Sequence, residues 1–194
     1  MYSGVVLIDE EGSVISEITQ VVEKTPRIDD TITERKIFIA GGCAAAYSRP
    51  LHFFVGPLSG GVIAEDFVYS FRALLGNGVV GISEPLVLYR QHSASIVGEL
   101  MSSRKIRGRL DDKYLKAYIA KLFEYKRAMD AYKVKKPYLR WKLYRKINSS
   151  ETELRFGSAG IIKKWLFMLW ALSSLRIRLF RKMLSILTAP STRN

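Results

Sequence analysis

The stretch IAEDFVYSFRALLGNGVVGISEPLVLYRQH, from Ile63 to His92, decides how the rest of the chain is interpreted. Adjacent acids, Glu65 and Asp66, begin a segment whose apolar residues recur at a spacing of three and four, which predicts a helix over residues 65–75. Two runs of β-branched and apolar residues follow, and the stretch ends with Arg90 and His92. Two carboxylates, a guanidinium and an imidazole within one short segment suit chemistry on a phosphorylated substrate.

The residues around this stretch predict an α/β domain. A segment of small side chains, which lets a backbone or a ligand approach closely, lies between Ile37 and Tyr47. A helix is expected from Arg49 to Phe54, because a proline follows the arginine and fits the first helical turn. Strands, a small-residue segment, a helix and further strands in this order are typical of an α/β fold. Four strands are predicted: Val5–Asp9, Val14–Ile18, Val79–Ile82 and Leu86–Tyr89.

Charge is distributed unevenly along the chain. The formal net charge of +13 is typical of a nucleic-acid-binding protein. However, residues 1–100 carry 7 Lys and Arg against 12 Asp and Glu, whereas residues 101–194 carry 24 against 6. We therefore expect a compact acidic domain over residues 1–100 and a basic helical region over 101–194, with the boundary near Gly98–Ser103.

Composition excludes several classes of protein. An apolar content of 48% in 194 residues excludes a disordered polymer. The single cysteine, Cys43, excludes a disulfide framework and a cysteine-based zinc site, and it favours a cytosolic compartment. The N-terminus lacks the basic region and the long apolar run of a secretory signal. The longest uncharged stretch late in the chain, Trp165–Leu175, is about half as long as a membrane-spanning helix of roughly 20 residues.

The second half predicts helices over residues 112–132, 138–147 and 159–187. In the last of these, Trp165 and Trp170 lie near the start, an apolar face follows, and basic residues such as Arg178 and Arg181 occupy the other side. This pattern is typical of a helix that lies in the headgroup region of an anionic membrane surface. The alternative is an ordinary helix packed on the first domain, whose acidic charge would also attract the tail.

Four segments within residues 1–96 match one family pattern in order: VVLIDEEG, GGCAAAYSRPLHFFVGPL, AEDFVYSFRALLGNG and ISEPLVLYRQHSAS. Together they resemble the C-terminal half of the catalytic domain of family 2 glycosyltransferases, inverting enzymes with a GT-A fold. The resemblance implies a partial GT-A domain that lacks its N-terminal nucleotide-binding half, followed by an α-helical C-terminal extension. It also implies transfer of a sugar from a nucleotide-sugar donor to a glycan or lipid-linked acceptor with inversion, in bacterial cell-surface polysaccharide synthesis.

The resemblance also assigns roles to individual residues. Asp66 becomes the general base that takes the proton from the acceptor hydroxyl as that oxygen attacks the anomeric carbon, and Glu65 orients the acceptor. Arg90 contacts the diphosphate, and His92 is a ligand of Mg²⁺ or Mn²⁺. Small residues line the pocket between donor and acceptor: Gly41, Gly42 and Cys43.

Each assigned position also has a plain structural explanation. Acids at a helix N-terminus complement the helix dipole and cap its free amides. Arg90 is then a solvated charge at a strand end, His92 a surface histidine, and Cys43 a small buried side chain. His52 matches none of the motifs, and we expect it to be structural or exposed.

The first half of the family pattern is missing from this sequence. Relatives carry a strand and loop that bind the nucleotide base, and an Asp-x-Asp motif that holds the metal ion under the diphosphate. We therefore expect roughly 100 residues of βα structure to be absent. The sheet would then have an uncovered apolar face and edge, and the chain would be poorly soluble, oligomeric or dependent on a polypeptide that supplies the N-terminal half.

Two other functions are weighed against sugar transfer. A non-catalytic remnant or accessory subunit would keep the acceptor half without a donor site. Nucleic-acid binding through the basic half explains the charge but not the acid pair, so we expect no nucleic-acid partner. The tyrosines that would stack on bases have a helical spacing that fits core packing at least as well: Tyr114, Tyr118, Tyr125 and Tyr132. The expected location is the cytoplasm, peripheral at the inner face of the bacterial cytoplasmic membrane.

Overall fold

A computed structural model of the chain describes residues 1–18, 27–33, 42–63, 65–92, 112–159, 161–173 and 183. These residues form a mixed α/β structure with a three-stranded sheet, which confirms the predicted α/β class. The strands are β1 (Tyr2–Ile8), β2 (Val14–Ile18) and β3 (Gly81–Arg90). The helices are α1 (Ile28–Thr33), α2 (Arg49–Phe54), α3 (Glu65–Leu75), α4 (Asp112–Ala131), α5 (Pro137–Ser158) and α6 (Ile161–Ser173), with a 3₁₀ turn at Gly42–Ala44.

The sheet has the strand order β2-β1-β3, with β1 antiparallel to β2 and parallel to β3. Its register is irregular at the start of β3, where Ser3 lies opposite Ile82 but the next residue, Gly4, lies opposite Pro85. The prediction of two separate strands in this region is therefore wrong. Extra residues bulge out of a single strand, and the proline is tolerated because β3 lies at the edge of the described sheet.

Part of the sheet surface is apolar and exposed. Val14 on β2 and Leu86 and Leu88 on β3 have exposed fractions of 69%, 60% and 68%. The two leucines are two residues apart on the strand and therefore share one face. The expected uncovered apolar surface is thus present among the described strands, while poor solubility or oligomerisation stays a prediction.

Helix α3 has the bounds that its sequence predicts. Its end is closed by two glycines: the Gly76 amide donates to the carbonyl of Arg72 at 3.0 Å, and the Gly78 amide to that of Ala73 at 2.9 Å. Gly78 has φ 85°, a left-handed conformation that glycine adopts without steric cost. The chain therefore leaves the helix sharply and enters β3 at Gly81, three residues after Gly78.

In the described residues of the basic half, one helix runs well past its predicted end. The last helix, predicted over residues 159–187, is described from Ile161 to Ser173, and Arg178 and Arg181 lie outside the described residues. Helix α4 ends within a residue of its predicted end, but α5 continues to Ser158 instead of Ile147. Asn148, Ser149 and Ser150 have modest helix propensity, which made the early end plausible. The helix continues because Phe156 in its last turns is fully buried and contacts Phe167 of α6, so tertiary burial outweighs local propensity.

One hydrophobic core joins helices from both halves of the sequence. Phe71 of α3 stacks on Tyr125 of α4 with ring centroids 4.0 Å apart, and both side chains are buried. Helices α1 and α5 add Ile32 and Leu143 to the same cluster. The predicted domain boundary lies outside the described residues, but the helices on its two sides share this core. The burial of Tyr125 confirms that this side chain serves core packing.

A buried ion pair fastens the loop that precedes α3. Arg72, with no exposed surface, donates from Nη2 to Oε2 of Glu124 at 3.0 Å and from Nη1 to the carbonyl of Gly56 at 2.9 Å. The other carboxylate oxygen of Glu124 accepts the backbone amide of Ser59 at 3.0 Å. The carboxylate of Glu124 also pairs with Arg127 at 2.9 Å. The loop is therefore held by hydrogen bonds to both α3 and α4.

Candidate active site

The predicted acid pair lies in the first turn of α3. Glu65 is exposed, whereas Asp66 is half-buried. Oδ1 of Asp66 accepts the backbone amide of Phe67 at 2.9 Å, which satisfies one of the free amides at this helix end. The structural explanation of Asp66 as a capping acid is therefore confirmed.

The small-residue segment packs directly against the acids. A Cβ added to Gly42 would lie 3.6 Å from Oε1 of Glu65 and 3.7 Å from Cβ of Asp66, and the Gly42 amide is hydrogen-bonded to the Asp66 carboxylate. Three predicted site residues are thus brought together. Gly41 lies outside the described residues. Cys43 is exposed, so the alternative of a small buried side chain is wrong.

The environment of Asp66 makes its carboxylate more basic than usual. Burial raises the pKa of Asp66, and the nearby charge of Glu65 raises it further. The hydrogen bonds from the amides of Phe67 and Gly42 act in the opposite direction, since they favour the charged form. The net pKa shift is upward, which is the direction that favours a general base.

Tyr47 is a site residue that sequence reasoning missed. Burial, followed by the charge of Asp66, raises the pKa of Tyr47 to about 12, and its side chain is hydrogen-bonded to Ser70. Its ring lies 5.0 Å from that of Tyr69, whose hydroxyl is 2.8 Å from Nδ1 of His52. The sequence contained a signal that could have identified Tyr47 as a site residue, because it is the one large side chain in the run GGCAAAYS. His52 is exposed, as expected.

A cavity of about 690 Å³ lies beside Tyr47. Its lining includes the rings of Tyr47, Phe54 and Tyr132 and the polar side chains of Ser70 and Asn77. None of the described lining residues carries a charged side chain. Tyr47 and Ser70 belong both to the cavity wall and to the surroundings of Asp66, since Ser70 follows Asp66 by one helical turn. The cavity therefore shares two residues with the surroundings of Asp66, although Gly42, Glu65 and Asp66 are not among its described lining residues.

Arg90 and His92 lie elsewhere in the fold, at the end of β3. The guanidinium of Arg90 donates to the backbone carbonyl of Asp9 at 3.3 Å and to that of Glu10, so it braces the turn between β1 and β2. His92 is exposed two residues beyond. Both therefore stand at the carboxyl ends of the parallel strands β1 and β3, where ligands of α/β sheets commonly bind.

The described residues do not by themselves fit a metal site. No three His, Cys, Asp or Glu side chains come together in the ranges that the structure describes. A lone imidazole such as that of His92 supplies one ligand, whereas Mg²⁺ takes six, several of them oxygens. The assignment of His92 to Mg²⁺ or Mn²⁺ stays a prediction.

Comparison with known proteins finds no matching family model, no matching curated protein and no matching solved structure. Among the described helices, none combines the length and the apolar character that crossing a membrane requires. What the site does must therefore be argued from its own residues.

Proposed function

We propose that this chain carries the acceptor side of an inverting glycosyltransferase of the GT-A type. The observation that carries the proposal is the setting of Asp66: a half-buried carboxylate of raised pKa, held against Gly42 and near Tyr47, a residue that also lines a cavity of about 690 Å³. In the proposed reaction a sugar passes from a nucleotide-sugar donor to a glycan or lipid-linked acceptor.

Asp66 acts as the general base in this proposal. As the acceptor oxygen attacks the anomeric carbon, its proton passes to the Asp66 carboxylate and the bond to the nucleoside diphosphate breaks. Attack from the face opposite the leaving group inverts the anomeric centre. A base of raised pKa is suited to the step, because proton transfer is most effective when the pKa of the base approaches the working pH.

The cavity beside Tyr47 suits the body of the acceptor. Its lining of aromatic rings, apolar side chains and a few hydroxyl or amide groups fits a hydroxyl-bearing ligand with an apolar part. The phenol of Tyr47 stays protonated because its pKa is about 12, so it is available to donate a hydrogen bond next to the base. Arg90 and His92 are given no role in this step, because they stand at the far ends of β1 and β3, whereas the segment that packs on the acid pair meets the start of β1 at Tyr2.

The test is release of nucleoside diphosphate from a panel of nucleotide sugars, measured for the full chain and for Asp66→Asn. Loss of the base is expected to lower turnover by about 100-fold or more. The matched control is Asp130→Asn, since Asp130 is an exposed carboxylate on α4; its turnover should be unchanged. NMR of the product should show the inverted anomer.

Two results would contradict the proposal. Equal turnover of Asp66→Asn and wild type would remove Asp66 from the base role. No turnover by the wild-type chain, either alone or together with a polypeptide that supplies the nucleotide-binding half, would favour the alternative of a non-catalytic remnant or accessory subunit.

A further inference from the structure

The outer face of α6 is apolar and exposed. Trp165, Leu166 and Leu169 have exposed fractions of 58%, 61% and 60%, and Trp170 of 41%. With 3.6 residues per turn, these four side chains occupy one continuous arc of about 140° around the helix. They are called the α6 outer face below. Four large apolar side chains grouped on one helix are more than scattered surface hydrophobics.

The opposite side of α6 packs against α5. Phe167 meets Phe156 of α5 edge to face with ring centroids 6.2 Å apart, and Met168 is buried at 5% exposure. Nζ of Lys164 lies 5.9 Å from the centroid of the same Phe156 ring. Helix α6 therefore packs on α5 through one side. The alternative of an ordinary packed helix explains that side and leaves the outer face without a role.

The charge around this helix has one sign. Residues 154–194 contain eight Lys and Arg and no Asp or Glu. Elsewhere on α5, Arg145 lies over the exposed ring of Trp141 at 4.7 Å, whereas Lys142, which lies over the ring of Tyr138 at 4.2 Å, is already paired with Asp29. The α6 outer face therefore belongs to a part of the sequence that is strongly basic.

We propose that the α6 outer face docks on an anionic lipid membrane surface. Tryptophan and leucine side chains enter the headgroup and acyl boundary, while Lys and Arg remain among anionic headgroups. Basic residues near such a surface each add to the attraction. A second copy of the chain is disfavoured as the occupant, because each copy carries a net charge of +13 and like charges repel. This inference is independent of the proposed sugar transfer.

The experiment is flotation of the full chain with vesicles of phosphatidylglycerol and phosphatidylcholine, and with phosphatidylcholine vesicles alone. We expect binding to the anionic vesicles, weaker binding at high salt, and little binding to the neutral vesicles. The double variant Trp165→Ser/Leu169→Ser should lose at least about tenfold in the partition constant, because two large apolar side chains no longer enter the boundary.

The matched control is Phe123→Ser, which removes an exposed aromatic side chain, 45% accessible, from α4. It should bind as the wild type does. Circular dichroism and thermal melting should be alike for all three proteins, since the replaced side chains are exposed.

Three results would overturn the proposal. The first is no binding of the wild type to anionic vesicles, and the second is equal binding by the double variant. The third is a wild-type dimer in light scattering that the double variant abolishes while neither protein floats, since a second copy would then be the occupant.

Discussion

Replacing Glu124 with alanine tests whether the buried ion pair holds the loop before α3. The carboxylate, 2% exposed, receives Arg72 at 3.0 Å, Arg127 at 2.9 Å and the amide of Ser59 at 3.0 Å. Its removal leaves the fully buried guanidinium of Arg72 with the Gly56 carbonyl as its remaining strong acceptor. An uncompensated buried charge of this kind costs about 3–5 kcal/mol. Chain stabilities are typically about 5–15 kcal/mol, so the loss is a large fraction.

The assay is urea unfolding followed by circular dichroism, with Asp130→Ala as the matched control. Asp130 lies on the same helix and also has two basic partners, Lys126 and Arg140, but these side chains are 40–57% exposed. Exposed ion pairs contribute about 0–1 kcal/mol, so the control should lose less than about 1 kcal/mol. The structure therefore predicts that the free energy of unfolding falls by several kcal/mol more in Glu124→Ala than in Asp130→Ala.

A double variant separates the burial of charge from simple loss of packing. In Arg72→Met/Glu124→Leu both charges are gone, and apolar side chains of similar volume fill the site. This protein should be more stable than Glu124→Ala, because replacing a whole buried pair is often neutral. The reasoning is refuted if Glu124→Ala costs no more than Asp130→Ala, or if the double variant loses as much as Glu124→Ala.

Two further predictions concern the acid pair. Because burial raises the pKa of Asp66, the folded chain binds more protons than the unfolded chain above the ordinary pKa of 3.8, and stability falls as pH rises through that window. Asp66→Asn should therefore raise the urea midpoint at pH 7 and leave it unchanged at about pH 3; a lower midpoint at pH 7 would contradict the burial argument. A Cβ on Gly42 would meet Glu65 and Asp66 at 3.6–3.7 Å, which is an ordinary contact distance. Gly42→Ala should therefore change the free energy of unfolding by less than about 1 kcal/mol. Gly42→Leu, with a much larger side chain, should displace the acids and lower sugar transfer. Equal transfer by the two Gly42 variants would count against the close packing.

Local sequence signals located the elements but not the contacts between them. Helix α3 was predictable at both ends, because the acids, the apolar spacing and Gly76 and Gly78 all act within a few residues. The contact of Gly42 with Asp66 agrees with the expectation that small residues allow close approach, yet the sequence did not say what would approach. The roles of Tyr47 and Glu124 depend on partners 19 and 52 residues away, Asp66 and Arg72, which no periodicity reveals.

Helix α3 links the acid pair to the basic half of the chain. Its first turn presents Asp66, while Val68 and Phe71 on the same helix are fully buried in the core shared with α4 and α5. Helix α5 makes two kinds of contact along its length. Leu139 and Leu143 pack in that core, and Phe156 packs against Phe167 of α6. If the α6 outer face binds a membrane, α5 connects that surface to the core behind the acid pair. The basic half would then both complete the core behind the site and attach it to lipid.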